Sequence, residues 1–132
     1  MRWLRSIIMS SLLIAAVSAA GCNQSNQDPS RVNTPREVPG GNAQQGSQLI
    51  TKLGCGTCHT IPGISNARGM VGPPLDHIAD RMIIAGMLSN TPEHMTAWLE
   101  APQSIVPGNA MPNMGLKTAE ARNVAAYLYT LR

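Results

Sequence analysis

The chain contains no phenylalanine, and aromatic residues make up only 3% of its 132 residues. With two Trp and two Tyr, a core built from the chain alone is thin, and a domain this small buries a low fraction of its surface in any case. Small domains meet that shortage with a prosthetic group or a covalent staple. The length allows one small domain, which excludes a large multidomain enzyme. The composition excludes a coiled coil and a multi-span membrane protein as well. No basic run occurs anywhere, so nucleic acid is not a partner. The N-terminal apolar run, Ile7 to Val17, is too short to span a bilayer.

That run lies behind Arg2 and Arg5 and ahead of Ala19, Ala20, Gly21 and Cys22. A basic start, a short apolar stretch and small residues make a signal peptide. Small residues before a cysteine resemble a bacterial lipobox, with Ala19 where a Leu is usual. Residues 1–21 are therefore expected to be removed and Cys22 to be lipidated. This places the protein in the bacterial cell envelope, on the periplasmic or outer face of a membrane. Loss of Arg2 and Arg5 takes the formal charge from +3 to +1, so the basic pI of the whole chain says little about the mature surface.

Residues 23–41 are Asn, Gln, Ser, Pro, Asp and Gly with almost nothing apolar, and a segment of that composition does not fold by itself. With Cys22 it reads as a tether, 22–41, that wanders over roughly 25 Å. The folded domain is expected over 42–132. Asn42 and Gln45 have capping-box spacing. Ala43, Leu49, Ile50 and Leu53 then share a helical face, and Gly54 supplies the stop. Residues 60–74 and 102–117 are rich in Pro and Gly and read as loops. The segment 75–88 holds a short helical stretch at best, although Ile83-Ile84 leaves a strand possible. Thr91-Pro92-Glu93 starts a helix that ends at Ala101. Thr118 is expected to cap a last helix with Ala121, Val124, Ala125 and Leu128 on one face. Three or four helices, long loops and no convincing strand predict an all-α domain.

Between the first helix and the first loop lies Cys55-Gly-Thr-Cys58-His59. Cys-x-x-Cys-His is the attachment motif of a c-type haem. Two thiols at this spacing add to the two vinyl groups of one porphyrin, and the adjoining His is carried under the iron. A zinc site needs four ligands, and there is no second Cys pair. A thioredoxin-like redox pair needs a strand–turn–helix frame that the sequence does not offer. One covalent haem c, with His59 as an iron ligand, is the reading that remains.

A second axial ligand must come from His77, His94 or a methionine. Most Met are flexible core filler, and Met82, Met87 and Met95, near helical stretches, fit that role. Met111 differs, because Pro107-Gly-Asn-Ala-Met-Pro112 is a loop with no helical reason for a Met, and Pro112 fixes the chain beyond it. Met114, three residues on, is its rival. A Met/His pair raises the haem potential.

Five stretches together resemble class I cytochrome c over residues 43–132. They are Gly-Cys-x-x-Cys-His-Thr-Ile, Gly-x-Val-Gly-Pro-x-Leu, Asn-Thr-x-Glu-x-Met-x-x-Trp, Pro-Gly-x-x-Met-Pro and the closing Ala-Tyr-Leu. Within that family the chain is most similar to the cytochrome c domain at the C-terminal end of subunit II in some bacterial haem–copper oxidases. The resemblance implies the class I cytochrome c fold, thioether bonds at Cys55 and Cys58, and axial ligands His59 and Met111. It implies that the Pro73 carbonyl accepts the His59 ring N–H and that Arg81 and Trp98 hydrogen-bond the haem propionates. It also implies that Gly46, Val124 and Tyr127 form the crossing of the first and last helices. Two departures stand out. Ile50 replaces the usual aromatic residue of the first helix. The lysine ring that docks mitochondrial cytochrome c is absent, Lys52 and Lys117 being the only lysines.

The resulting expectation is a monomeric, lipid-anchored electron carrier, not an enzyme. It would serve a terminal oxidase or a periplasmic dehydrogenase, with its tether keeping it near membrane partners at high effective concentration. Two alternatives are a fixed electron-entry subunit of such a complex and a haem sensor that binds a gas when Met111 lets go.

Overall fold

A computed structural model describes residues 36–132. The signal segment 1–21, Cys22 and the tether as far as residue 35 lie outside the described residues.

Helix α1 spans Ala43–Lys52. Asn42 is extended and its side chain accepts from the Gln45 backbone N–H at 2.9 Å, satisfying one of the free donors at the helix start. The helix closes through Leu53, and Gly54 follows at φ +69°, a left-handed stop that glycine adopts at no steric penalty. After a 3-10 turn at Cys55–Thr57, the chain runs through loops to a second 3-10 turn at Ile78–Asp80. It then forms a two-stranded antiparallel hairpin, β1 Ile83–Ile84 and β2 Leu88–Ser89, with Ile84 paired to Leu88. Helices α2, Pro92–Glu100, α3, Pro102–Ile105, and α4, Thr118–Leu128, complete the described chain.

Helices α1 and α4 pack together, and α2 packs on α4. The first contact depends on Gly46, where a Cβ would overlap the Asn123 carbonyl and come within 3.0 Å of Tyr127 Cβ. Asn123 adds hydrogen bonds across the same crossing, accepting from Asn42 N–H at 2.8 Å and donating to Gln45 Oε1 at 2.8 Å. Ile50, Ala121, Val124, Ala125 and Leu128 are buried there, the face that helical spacing predicts. Ile50 is fully buried, so an aliphatic side chain fills the position that is aromatic in the resemblance. No helix among the described residues is long and apolar enough to cross a membrane.

The all-α expectation holds, with differences in detail. Residues ahead of Asn42 also pack on the domain. Val38 is buried, and the Arg36 guanidinium donates to the Ala79 carbonyl while lying over the Tyr129 ring, 5.7 Å from its centroid. The hairpin does form, because Ala85 and Gly86 both take positive φ and turn the chain with a twist that suits two paired strands. Residues 102–117 are not all loop, since α3 makes one helical turn. The last helix starts under Lys117, whose backbone N–H donates to Glu120 Oε2 at 2.9 Å. Thr118 is its first helical residue, and the Glu120 carboxylate does the capping expected of Thr118. Met82 and Met87 are exposed and fill no core.

Candidate functional site

Glycines let the chain fold tightly around the Cys-x-x-Cys-His segment. Gly54 turns it out of α1, and Cys58 N–H and His59 N–H both donate to the Cys55 carbonyl, at 3.2 and 3.0 Å. A Cβ at Gly56 would come within 2.6 Å of Ala67 Cβ, and Gly69 N–H donates to the Gly56 carbonyl at 3.0 Å. A Cβ at Gly72 would overlap the His59 ring, so that ring lies flush against backbone. His59 Nδ1 is 2.8 Å from the Pro73 carbonyl oxygen. A carbonyl only accepts, so the proton sits on Nδ1 and the Nε2 lone pair is left for a metal.

Cys55, Cys58 and His59 line a cavity of about 560 Å³. The volume lies within the range of small-molecule and cofactor sites. Its walls include Ile61, Leu75, Ile84, Leu99 and Leu128, most of them from the hydrophobic core. The core is thus arranged around the cavity, which accounts for how a chain so poor in aromatics builds a fold. Burial pushes the Cys55 thiol above its ordinary pKa; its own backbone hydrogen bond opposes this and Cys58 adds to it. Among the described residues no three His, Cys, Asp or Glu side chains gather to hold a metal ion. A haem fits this donor set, because porphyrin supplies four nitrogens and asks the protein for two axial ligands, two thiols and an apolar wall.

Met111 and Met114 both line the cavity and are half-buried; His77 and His94 do not line it. His77 instead pairs with Asp80 at 3.7 Å, and His94 Nδ1 lies 2.9 Å from the Ser89 carbonyl. The two methionines differ in how their backbones are held. Met111 N–H donates to Asn109 Oδ1 at 2.7 Å, and its carbonyl accepts from Gln103 Nε2 at 2.7 Å. No hydrogen bond holds Met114 among the described residues.

Arg81 and Trp98 also line the cavity. The Arg81 guanidinium donates to the carbonyls of Pro74 at 2.5 Å and Asp76 at 3.1 Å, and lies 3.9 Å from the Asp76 carboxylate. The indole N–H of the half-buried Trp98 makes no hydrogen bond among the described residues, which leaves a donor for an anionic group. The structure therefore brings Cys55, Cys58, His59, Arg81, Trp98 and Met111 to one cavity, with Pro73 behind His59. Cys22 lies outside the described residues.

Three contributors escaped the sequence reading. Gln103 and Asn109 hold the Met111 loop. Buried Asn90 donates to the carbonyls of Ile78 and Arg81, both at 2.8 Å. The signals available were Asn109, an amide two residues before Met111, and Asn90, which opens the Asn-Thr-x-Glu-x-Met-x-x-Trp stretch.

A family model described as cytochrome c matches residues 43–132. The chain is 37% identical over 93 residues to cytochrome c oxidase subunit 2 of Alkalihalophilus pseudofirmus, a match covering 68% of this chain and 26% of that protein. It is 33% identical over 89 residues to cytochrome c oxidase subunit 2 of Bacillus subtilis, covering 66% of this chain and 25% of the relative. The chain thus spans about a quarter of the length of the relatives it matches.

Proposed function

The chain belongs to the cytochrome c family, and from that premise we propose that it is a mono-haem electron carrier whose iron is held by His59 and Met111. The fold is that of class I cytochrome c, the cofactor is covalent haem c, and the role is electron transfer. The observation that carries the ligand assignment is the His59–Pro73 hydrogen bond, on a cavity that Met111 lines as well.

When bound, the haem supplies an iron that alternates between ferrous and ferric. Cys55 and Cys58 would hold its edge through thioether bonds, which keeps the cofactor on the protein through every exchange of partners. The Pro73 carbonyl fixes the His59 tautomer and ring orientation and makes the imidazole a stronger base. Met111 offers a soft neutral sulfur, which favours the ferrous state and raises the potential. The apolar walls keep water out and lower the local dielectric. Arg81 and the free Trp98 N–H would bind the propionates.

In this reading His59 and Met111 would both bind the iron and leave no place on it for a substrate, so the chain would act as a carrier, not an enzyme. Val71 and Ile83 line the cavity and are also exposed, so a partner approaching there meets an apolar face instead of a lysine ring. Residues 1–21 would serve as the signal peptide, lipidated Cys22 as the anchor, and the residues between it and the packed domain as the tether. This gives an envelope protein at the periplasmic or outer face of a membrane, monomeric, with a terminal oxidase or periplasmic dehydrogenase as partner.

The similarity to two oxidase subunits favours one second reading, a fixed electron-entry subunit. Solubilised membranes separate the two. A carrier elutes apart from the oxidase and reduces it on mixing; a subunit co-purifies with it in constant ratio. Failure of the ferrous holoprotein to pass electrons to any oxidase-containing membrane would contradict both.

A further inference from the structure

We propose that Gln103 and Asn109 are positioning residues that lock the Met111 backbone and so keep its sulfur from being displaced at the iron. The proposal rests on the reading of Met111 as the axial ligand.

The loop that carries Met111 has little means of holding itself. Pro107 and Pro112 bring no N–H donors, and Gly108 sits at φ +78°. Two side-chain amides hold the Met111 backbone. Asn109 Oδ1 accepts from Met111 N–H, and Gln103 Nε2 donates to the Met111 carbonyl. No other partner holds the Met111 backbone among the described residues. Each amide is anchored in turn. Gln103 Nε2 also donates to the Asn109 carbonyl at 2.8 Å, and Gln103 Oε1 accepts from Gly108 N–H at 3.1 Å. Asn109 Nδ2 donates to the carbonyls of Pro102 at 3.0 Å and Val106 at 2.6 Å. Gln103 is fixed on α3 directly after the buried Pro102. This explains why a four-residue helix interrupts the expected loop: it presents the Gln103 amide to the Met111 segment.

A thioether is a weak neutral ligand, so its residence on the iron is set by how rarely the loop opens. Local opening of that kind requires the latch bonds to break while the rest of the domain stays folded. The network is cooperative, because both amides bond the Met111 backbone and Gln103 Nε2 also holds the backbone carbonyl of Asn109 itself.

The test is displacement of the sulfur by imidazole in the ferric holoprotein, followed by loss of the sulfur–iron charge-transfer band. Gln103→Glu keeps the acceptor for Gly108 but loses both donors; Asn109→Ala removes the acceptor for Met111 and both of its own donors. Asn123→Ala, at the α1–α4 crossing, is the control that lowers stability elsewhere. The expected result is displacement about tenfold faster in Gln103→Glu and Asn109→Ala, with Asn123→Ala at the unsubstituted rate; tenfold corresponds to about 1.4 kcal/mol. Met111→Leu must lack the band altogether. If Met111→Leu keeps the band, the ligand reading fails. If it lacks the band while Gln103→Glu and Asn109→Ala behave as the unsubstituted protein, the latch alone fails. Equal acceleration by Asn123→Ala, or loss of haem attachment in both latch variants, would also overturn the proposal, since either shows a general structural role.

Discussion

The buried Tyr129 hydroxyl donates to Asn90 Oδ1 at 2.8 Å, joining the C-terminal end of the chain to the carbonyls of Ile78 and Arg81 that Asn90 Nδ2 holds. Arg81 lines the haem cavity, so this one asparagine connects the tail to the cavity wall. Burial pushes the Tyr129 phenol up to about 12, with Arg36 opposing the shift and Glu93 adding to it. The neutral phenol is the form the fold favours, so its contribution is complete below the unfolded value near 10 and is lost as pH rises from there to about 12. Holoprotein stability, measured by denaturant melts followed by circular dichroism, should fall across that window. Tyr129→Phe should flatten the fall and cost about 1–3 kcal/mol at neutral pH, because Asn90 Oδ1 is left buried and unpaired.

Gly46→Ala sets two effects against each other. Alanine is the better helix former by about 1 kcal/mol. Its Cβ, however, would overlap the Asn123 carbonyl, which is backbone and cannot swing aside, and overpacking of this kind costs about 1–3 kcal/mol. The overlap should win, and the thermal midpoint of the holoprotein should drop. A rise would show that the two helices separate without strain.

How far the sequence could be read follows from the range of each signal. Cys55, Cys58 and His59 are contiguous, so their chemistry is written in one word. Asn42, Gly54 and Thr91 act within four residues of themselves, and the ends they cap lie where the sequence puts them. The hairpin was obscured because its strands are two residues long and Ala85 takes a positive φ that alanine does not advertise. Arg36 and Val38 look like tether in composition; Arg36 finds its partners in the distant Ala79, Arg81 and Tyr129, and Val38 joins the buried core. Gln103 shows the same limit, since nothing local marks an amide that bonds a backbone eight residues away.

Replacing Cys55 and Cys58 by Ala should leave a chain without most of its helical circular dichroism. The core residues lie around a cavity of about 560 Å³, and without a filling group their burial is incomplete, a loss that a small domain tolerates poorly. A well-folded helical apoprotein with a cooperative melt would contradict this.

Cys22 should carry lipid, and the mature protein should begin at that residue. Intact mass of the detergent-extracted protein is the check. A mature N-terminus at any other residue, or an unmodified Cys22, would remove the anchor from the account.

The central claim is that His59 and Met111 hold the iron, and proton NMR of the ferrous holoprotein tests it most directly. A methyl group bonded through sulfur to the iron sits over the porphyrin, and its ring current moves that resonance far upfield of every other methyl. One such methyl is predicted, with through-bond and sequential connectivities that assign it to Met111 between Ala110 and Pro112. Assignment to Met114, or the absence of any upfield methionine methyl, would contradict the account.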